Sequence, residues 1–189
     1  WPDAVVATSA DGDSGGPVAL LEQERRQLTA RGTPRRQADR LAGQRAAKAA
    51  VARLTGLSTR GFSVDRLSSG QPVVRDLTGR ELDTVVSISH RNGKGWAAAT
   101  QSGRIGLDVE AVALRPPSFA QTWFAPEEQA ATFGDPTAET EVWCAKEAVL
   151  KALGLGMALH PREVVITRLG GPRVQVSLVG EAQAVWLAA

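Results

Sequence analysis

The chain has 189 residues, 43% of them hydrophobic, with 22 Lys and Arg against 20 Asp and Glu. That length suits one ordinary domain or two small fused halves, and the composition excludes a disordered tail. One cysteine, Cys144, and two histidines exclude both an internal disulfide framework and a structural zinc site.

Along the chain, residues 10–17 (Ala-Asp-Gly-Asp-Ser-Gly-Gly-Pro) are too rich in glycine for a helix or strand and read as a linker. The Gly-Asp-Ser-Gly-Gly-Pro inside it matches the stretch around the nucleophile of trypsin-like proteases. Those enzymes place their histidine and aspartate ahead of the serine. Here only eleven residues precede the motif, and His90 and His160 lie far downstream, so the linker reading is kept. A helical pattern opens after Pro17 through Leu20, Leu21, Glu24 and Leu28. Thr33-Pro34 then starts a longer helix, with threonine as N-cap, an inward stripe of Ala47, Ala50, Val51 and Leu54, and Gly56 as its stop.

Charge is unevenly placed. Residues 25–60 hold ten Lys and Arg against one acid, Asp39. Such a field attracts phosphates or an acidic partner, or is simply a solvated helix face.

Short strands follow at Phe62–Val64, Pro72–Val74 and Val85–Ser89. Asn92-Gly93 is a hairpin signal that joins the strand ending near His90 to Trp96–Thr100. Ile105–Val109 reads as a further strand. One or two short helices with Phe119, Trp123, Phe124 and Phe133 are expected over 117–134. Asp135-Pro136 caps a long helix to Gly154, and strands are expected at Val164–Ile166, Val174–Val176 and Val185–Leu187. Helix followed by strands thus occurs twice, over residues 1–98 and 99–189, which predicts an α+β fold with the metal-site candidates in the second half.

Three groups of residues carry possible chemistry. In an extended Ile105-Gly-Leu-Asp-Val-Glu110, Asp108 and Glu110 lie on one face. Paired carboxylates repel unless a cation or a proton sits between them; the alternative is an edge strand with ordinary surface acids. In Trp143-Cys-Ala-Lys-Glu-Ala-Val-Leu-Lys151, helical spacing puts Trp143, Glu147 and Lys151 on one face beside an inward stripe of Val142, Ala145, Val149 and Ala152. Alone, Glu147 and Lys151 are a surface pair worth a few tenths of a kcal/mol. Combined with the upstream diacid, Glu147 supplies a third carboxylate, and such an oxygen set suits magnesium with a substrate phosphate. The third group is Ser87-Ile-Ser-His90, with the two serines on one face and His90 at the strand exit.

In this order, Ser-x-Ser-His, Ile-Gly-Leu-Asp-Val-Glu and Trp-Cys-Ala-Lys-Glu-Ala-x-x-Lys, the chain resembles the 4′-phosphopantetheinyl transferases of the surfactin type. Gly70-Gln71-Pro72 is similar to that family's Gly-Lys-Pro, with Gln71 in place of the lysine, so one phosphate contact is missing. The resemblance implies transfer of the phosphopantetheine group of coenzyme A to a serine of an acyl or peptidyl carrier protein, with 3′,5′-ADP as the second product. It implies magnesium on Asp108, Glu110 and Glu147, with Glu147 also the base for the carrier hydroxyl. Lys151 would contact the phosphate, Ser89 and His90 a phosphate of coenzyme A, and Lys146 a further one, with Arg36 and Arg40 proposed from charge and position for the 3′-phosphate end. The implied fold is two similar α+β halves in a monomeric pseudo-dimer, with coenzyme A between them.

The basic region suits an acidic carrier. No apolar run reaches the roughly 18 residues of a membrane span, and no secretory leader is visible, so no membrane contact and a cytoplasmic location are expected. No nucleic-acid motif is present and aromatic residues are only 5%, without basic interleaving; no nucleic-acid partner is expected. The alternatives are a metal-dependent phosphodiesterase using the same carboxylates, or a non-catalytic basic binding module. Residue 1 is Trp and the only methionine is Met157, which leads to the expectation of a domain cut from a polyketide synthase or of a trimmed stand-alone enzyme.

Overall fold

The computed structural model describes residues 3–13, 16–30, 32–168 and 174–188. The chain forms two compact units, Trp1–Val109 and Glu110–Ala189. That division lies later than the 98/99 boundary read from the sequence, because residues of the 105–109 segment are tied to the first unit by hydrogen bonds described below.

The first unit is organised by one long helix. Helix α1 spans Glu22–Thr29 and α2 spans Pro34–Thr55. Thr33 caps α2 by accepting the Arg36 N–H on its hydroxyl, and proline at the first turn loses no hydrogen bond there. Gly56 ends the helix at φ +74°, a conformation that costs a residue without Cβ little, and its N–H returns to the Ala52 carbonyl at 2.8 Å.

Among the described residues, seven short strands flank these helices. A β1 (Val5–Thr8) precedes a two-residue pair, β2 (Gly12–Asp13) and β3 (Gly16–Pro17), where the sequence suggested only linker. Ser14 and Gly15 of the protease-like motif lie outside the described residues. A hairpin of β4 (Phe62–Arg66) and β5 (Pro72–Asp76) follows, then β6 (Val85–Arg91) and β7 (Lys94–Thr100). The last two join β1 in an antiparallel sheet of order β1-β7-β6. Asn92 and Gly93 turn between them at φ +52° and +75°, the mirror-image turn that suits strand twist.

Alanine lets α2 lie close on this sheet. Ala42, Ala46, Ala47, Ala49 and Ala50 of α2 and Ala97, Ala98 and Ala99 of β7 are all buried. At the closest point, a Cβ added to Gly95 would stand 2.2 Å from the Ala42 carbonyl, so only glycine fits. Phe62, Val64, Val74 and Val86 complete the core.

In the second unit, α3 (Pro117–Trp123), α4 (Pro126–Thr132) and α5 (Pro136–Leu153) each begin on proline. Asp135 caps α5 through the N–H groups of Thr137 and Ala138 at 2.9 and 3.1 Å, and Gly154 closes it at φ +80°. Strands β8 (Val164–Arg168) and β9 (Gln175–Leu178) pair antiparallel. The chain then forms α6 (Gly180–Leu187), not the strand expected at Val185–Leu187. The start of α6 is fixed from outside: the Glu163 carboxylate accepts the Ala182 N–H at 2.9 Å. A non-local cap of this kind is invisible to local patterning. Phe124, Val142, Leu150, Leu153, Leu159, Val164 and Ile166 form the core of this unit.

Both units use the same buried device. Glu24, at the third position of α1, accepts the Leu21 N–H at 2.7 Å and Lys48 Nζ at 2.8 Å. Its other oxygen accepts the Val64 N–H and the Gln44 amide, each at 3.0 Å. Lys48 also donates to the Phe62 carbonyl at 2.8 Å. Glu128, at the third position of α4, likewise accepts the Ala125 N–H and Lys146 Nζ, each at 2.7 Å, and the Ile166 N–H at 2.7 Å. Lys146 donates to the carbonyls of Pro161 and Val164. In each unit the lysine bonds the carbonyl of one strand residue, and the glutamate bonds the N–H two residues on. Both lysines are fully buried. Burial pushes each below the ordinary lysine pKa, and the paired carboxylate acts against that shift.

Candidate active site

In the first unit, the candidate residues meet at the free side of β6, the edge strand of its sheet. Residues two apart in a strand share a face, and Ser87 and Ser89 are both buried. The Leu107 N–H donates to Ser87 Oγ at 2.9 Å, and the Val109 N–H donates to Ser89 Oγ at 3.2 Å. The Ser89 hydroxyl in turn donates to Asp108 Oδ1 at 3.0 Å. Two extended stretches with matched two-residue spacing are thus joined through serine hydroxyls. The 105–109 segment is no strand, contrary to the sequence expectation: serine side chains occupy the place a backbone ladder would take. Asp108 is half-buried and held in one orientation.

His90 is exposed one residue further along β6. Its surroundings are set by α2: a Cβ added to Gly43 would lie 3.3 Å from His90 Cδ2 and 2.9 Å from Ile88. The turn after His90 is fastened to the same helix. The Gly93 N–H donates to Asp39 at 2.6 Å, and Arg35 donates to the Asn92 side-chain carbonyl at 2.9 Å. Of the two arginines proposed for a nucleotide phosphate, Arg36 is exposed, whereas Arg40 is half-buried and donates to the Leu28 carbonyl at 3.4 Å. Gln71 is exposed in the β4–β5 turn.

In the second unit, α5 carries Glu147 and Lys151, both half-buried, with Trp143 one turn earlier. Trp143 sits edge-on to Phe119, with ring centroids 4.9 Å apart, and beside Trp123 at 6.1 Å. The inward stripe differs from the one expected: Val142, Lys146, Leu150 and Leu153 are buried, while Ala145 and Val149 pack at its margin. Lys146 therefore does not serve as the phosphate contact the resemblance implied. Its three donor positions go to Glu128 and two carbonyls inside the unit. A lysine among alanines, as in Ala46-Ala47-Lys48-Ala49-Ala50, is the sequence signal that could have flagged the equivalent buried lysine of α2.

Asp108 belongs to the first unit, and Glu110 and Glu147 to the second. Glu110 is half-buried. Within either unit, among the described residues, no three His, Cys, Asp or Glu side chains group around a metal position. The donor chemistry of these three is oxygen only, which fits a hard divalent cation, and the Ser89 bond to Oδ1 of Asp108 is the kind of outer contact that orients a carboxylate ligand.

Residues 104–188 match the family profile described as the 4′-phosphopantetheinyl transferase superfamily. That stretch holds two of the three motifs on which the resemblance rests, and a transferase of the phosphopantetheinyl type is the activity the family carries. No curated protein matches the chain. Among the described residues, no helix is long and apolar enough to cross a membrane.

Proposed function

We propose that this protein transfers 4′-phosphopantetheine from coenzyme A to a serine hydroxyl of an acyl or peptidyl carrier protein. The observation that carries this reading is the family match over 104–188, a stretch that includes Asp108, Glu110, Glu147 and Lys151. Its physical support is Asp108 fixed by Ser89. Asp108, Glu110 and Glu147 would hold a magnesium ion. When bound, that ion supplies charge neutralisation for the coenzyme A diphosphate.

Glu147 takes the proton of the carrier serine as its oxygen forms a bond to the pantetheine-side phosphorus. The bond from that phosphorus to the bridging oxygen breaks, and 3′,5′-ADP leaves with the electron pair. Lys151 stabilises the negative charge that develops on the phosphate, the main task in phosphoryl transfer. His90 and Ser89 flank the coenzyme phosphates, and the basic face of α2, with Arg36 and Arg40, draws in the nucleotide end. The glutamate–lysine device repeated in each unit supports the reading of two similar halves.

Incubation with coenzyme A, magnesium and purified apo carrier proteins tests the proposal. A mass gain of one phosphopantetheine on a carrier is the expected result. Release of free phosphopantetheine with the carriers unchanged points instead to a hydrolase.

A further inference from the structure

Helix α2 carries a glycine where its surroundings call for alanine. Gly43 is buried in the helix interior, among Ala42, Ala46, Ala47, Ala49 and Ala50. Glycine is the least favourable residue inside a helix after proline, and alanine the most favourable. The position gives up helix stability, and β6 takes the place of the missing methyl. A Cβ on Gly43 would stand 2.9 Å from Ile88 Cγ2, 3.3 Å from His90 Cδ2 and 3.7 Å from His90 Cβ. Ile88 and His90 are two apart in β6 and share its α2 side, opposite to Ser87 and Ser89.

The strand has little room to back away from such a methyl. Just beyond His90, Asp39 holds the Gly93 N–H at 2.6 Å and Arg35 holds the Asn92 side chain at 2.9 Å. Those two residues lie one and two turns before Gly43 on the same side of α2. On the neighbouring strand, Gly95 pairs with His90 and lies so close to α2 that its own Cβ would be 2.2 Å from the Ala42 carbonyl. With the backbone fastened at these points, a methyl at Gly43 displaces side chains instead. His90 is exposed, so its open direction is outward. Its Cδ2 edge rests on the helix, and Nδ1, across the ring, faces away.

We propose that Gly43 is a positioning residue for coenzyme binding: the space it leaves is the seat of the His90 imidazole and sets the direction in which His90 points. What His90 points at rests on the transferase reading above: it is a phosphate of coenzyme A.

The test is calorimetric titration of the full chain with coenzyme A in magnesium buffer, for wild type, Gly43→Ala, His90→Ala and the double variant. Gly43→Ala and His90→Ala should each bind about tenfold more weakly, the scale of one lost hydrogen bond to a charged group. The double variant should bind no more weakly than His90→Ala, because two changes that act through one side chain do not add. A merely structural role for Gly43 would instead give the same loss in both backgrounds. Ile88→Ala removes the side-chain atom nearest the new methyl. Should Gly43→Ala alone fail to fold, the same tenfold step is expected between Ile88→Ala and Ile88→Ala with Gly43→Ala. An affinity untouched by Gly43→Ala, or a step that persists without His90, overturns the proposal. A carrier-transfer assay beside the titration keeps the two readings apart. Transfer with an affinity indifferent to Gly43 removes the seat and leaves the transferase standing. A step that runs through His90, with no carrier modified, does the reverse.

Discussion

The Ser89 hydroxyl accepts the Val109 N–H at 3.2 Å while donating to Asp108 Oδ1 at 3.0 Å, so one side chain fixes both the backbone and the carboxylate of the acidic segment. A hydroxyl can do this because it carries one donor and two acceptor sites. Among the described residues, Ser87 supports the backbone through the Leu107 N–H.

This difference separates two variants. Ser89→Ala removes a buried partner from the Val109 N–H and should cost about 1–3 kcal/mol of stability. It also releases the orientation of Asp108, so the magnesium concentration for half-maximal transfer should rise about tenfold, the scale of losses at such outer contacts. Ser87→Ala should cost similar stability with a magnesium requirement close to wild type. Equal magnesium titrations for both variants would argue against the orienting role.

Lys146 should behave as a structural residue. Lys146→Ala leaves Glu128 charged and buried, and breaking such a pair costs about 3–5 kcal/mol. Urea unfolding should show that loss. Replacing both partners, as Glu128→Leu with Lys146→Met, should recover only part of it, because the uncompensated charge is gone but the Ala125 and Ile166 N–H groups lose their acceptor. A Lys146→Ala protein of wild-type stability with a raised KM for coenzyme A would restore the phosphate-contact role.

The seat of His90 against α2 depends on shape. Gly95→Ala would place a methyl 2.2 Å from the Ala42 backbone, and forced separation of the helix from the sheet should cost about 3 kcal/mol, the upper range for overpacking. Asp39→Ala removes only the bond to the Gly93 N–H and should cost about 1 kcal/mol at this exposed site. Thermal unfolding of the two variants checks the order.

Asp76 provides a pH signature. Its carboxylate accepts from the Thr78 hydroxyl, and from the Arg80 and Thr78 N–H groups and the Arg80 side chain, and these bonds hold its pKa below the ordinary 3.8. A folded-state pKa below the unfolded one means that the contribution is present above pH 3.8 and fades as pH falls through the lowered value. NMR titration should find the depressed pKa, and Thr78→Ala should move it back toward the ordinary value.

Elements with local signals were legible in the sequence. Thr33-Pro34 and Gly56 bound α2, Asp135-Pro136 and Gly154 bound α5, and Asn92-Gly93 marks the β6–β7 turn. What escaped depends on distant partners. Helix α6 starts on the Glu163 carboxylate, Lys146 turns inward because Glu128 awaits it, and the acidic segment stays out of the sheet because serine hydroxyls hold it. The candidate residues were readable as a motif, whereas the orienting bond from Ser89 to Asp108 required coordinates.

The most direct measurement of the central claim is the stoichiometry of a single turnover with coenzyme A, magnesium and an apo carrier, comparing wild-type protein with Asp108→Ala and Glu147→Ala. The wild type should release one 3′,5′-ADP for each carrier modified, and both variants should release none while keeping their fold by circular dichroism. Product release without carrier modification, or folded variants that retain most of the activity, would contradict it.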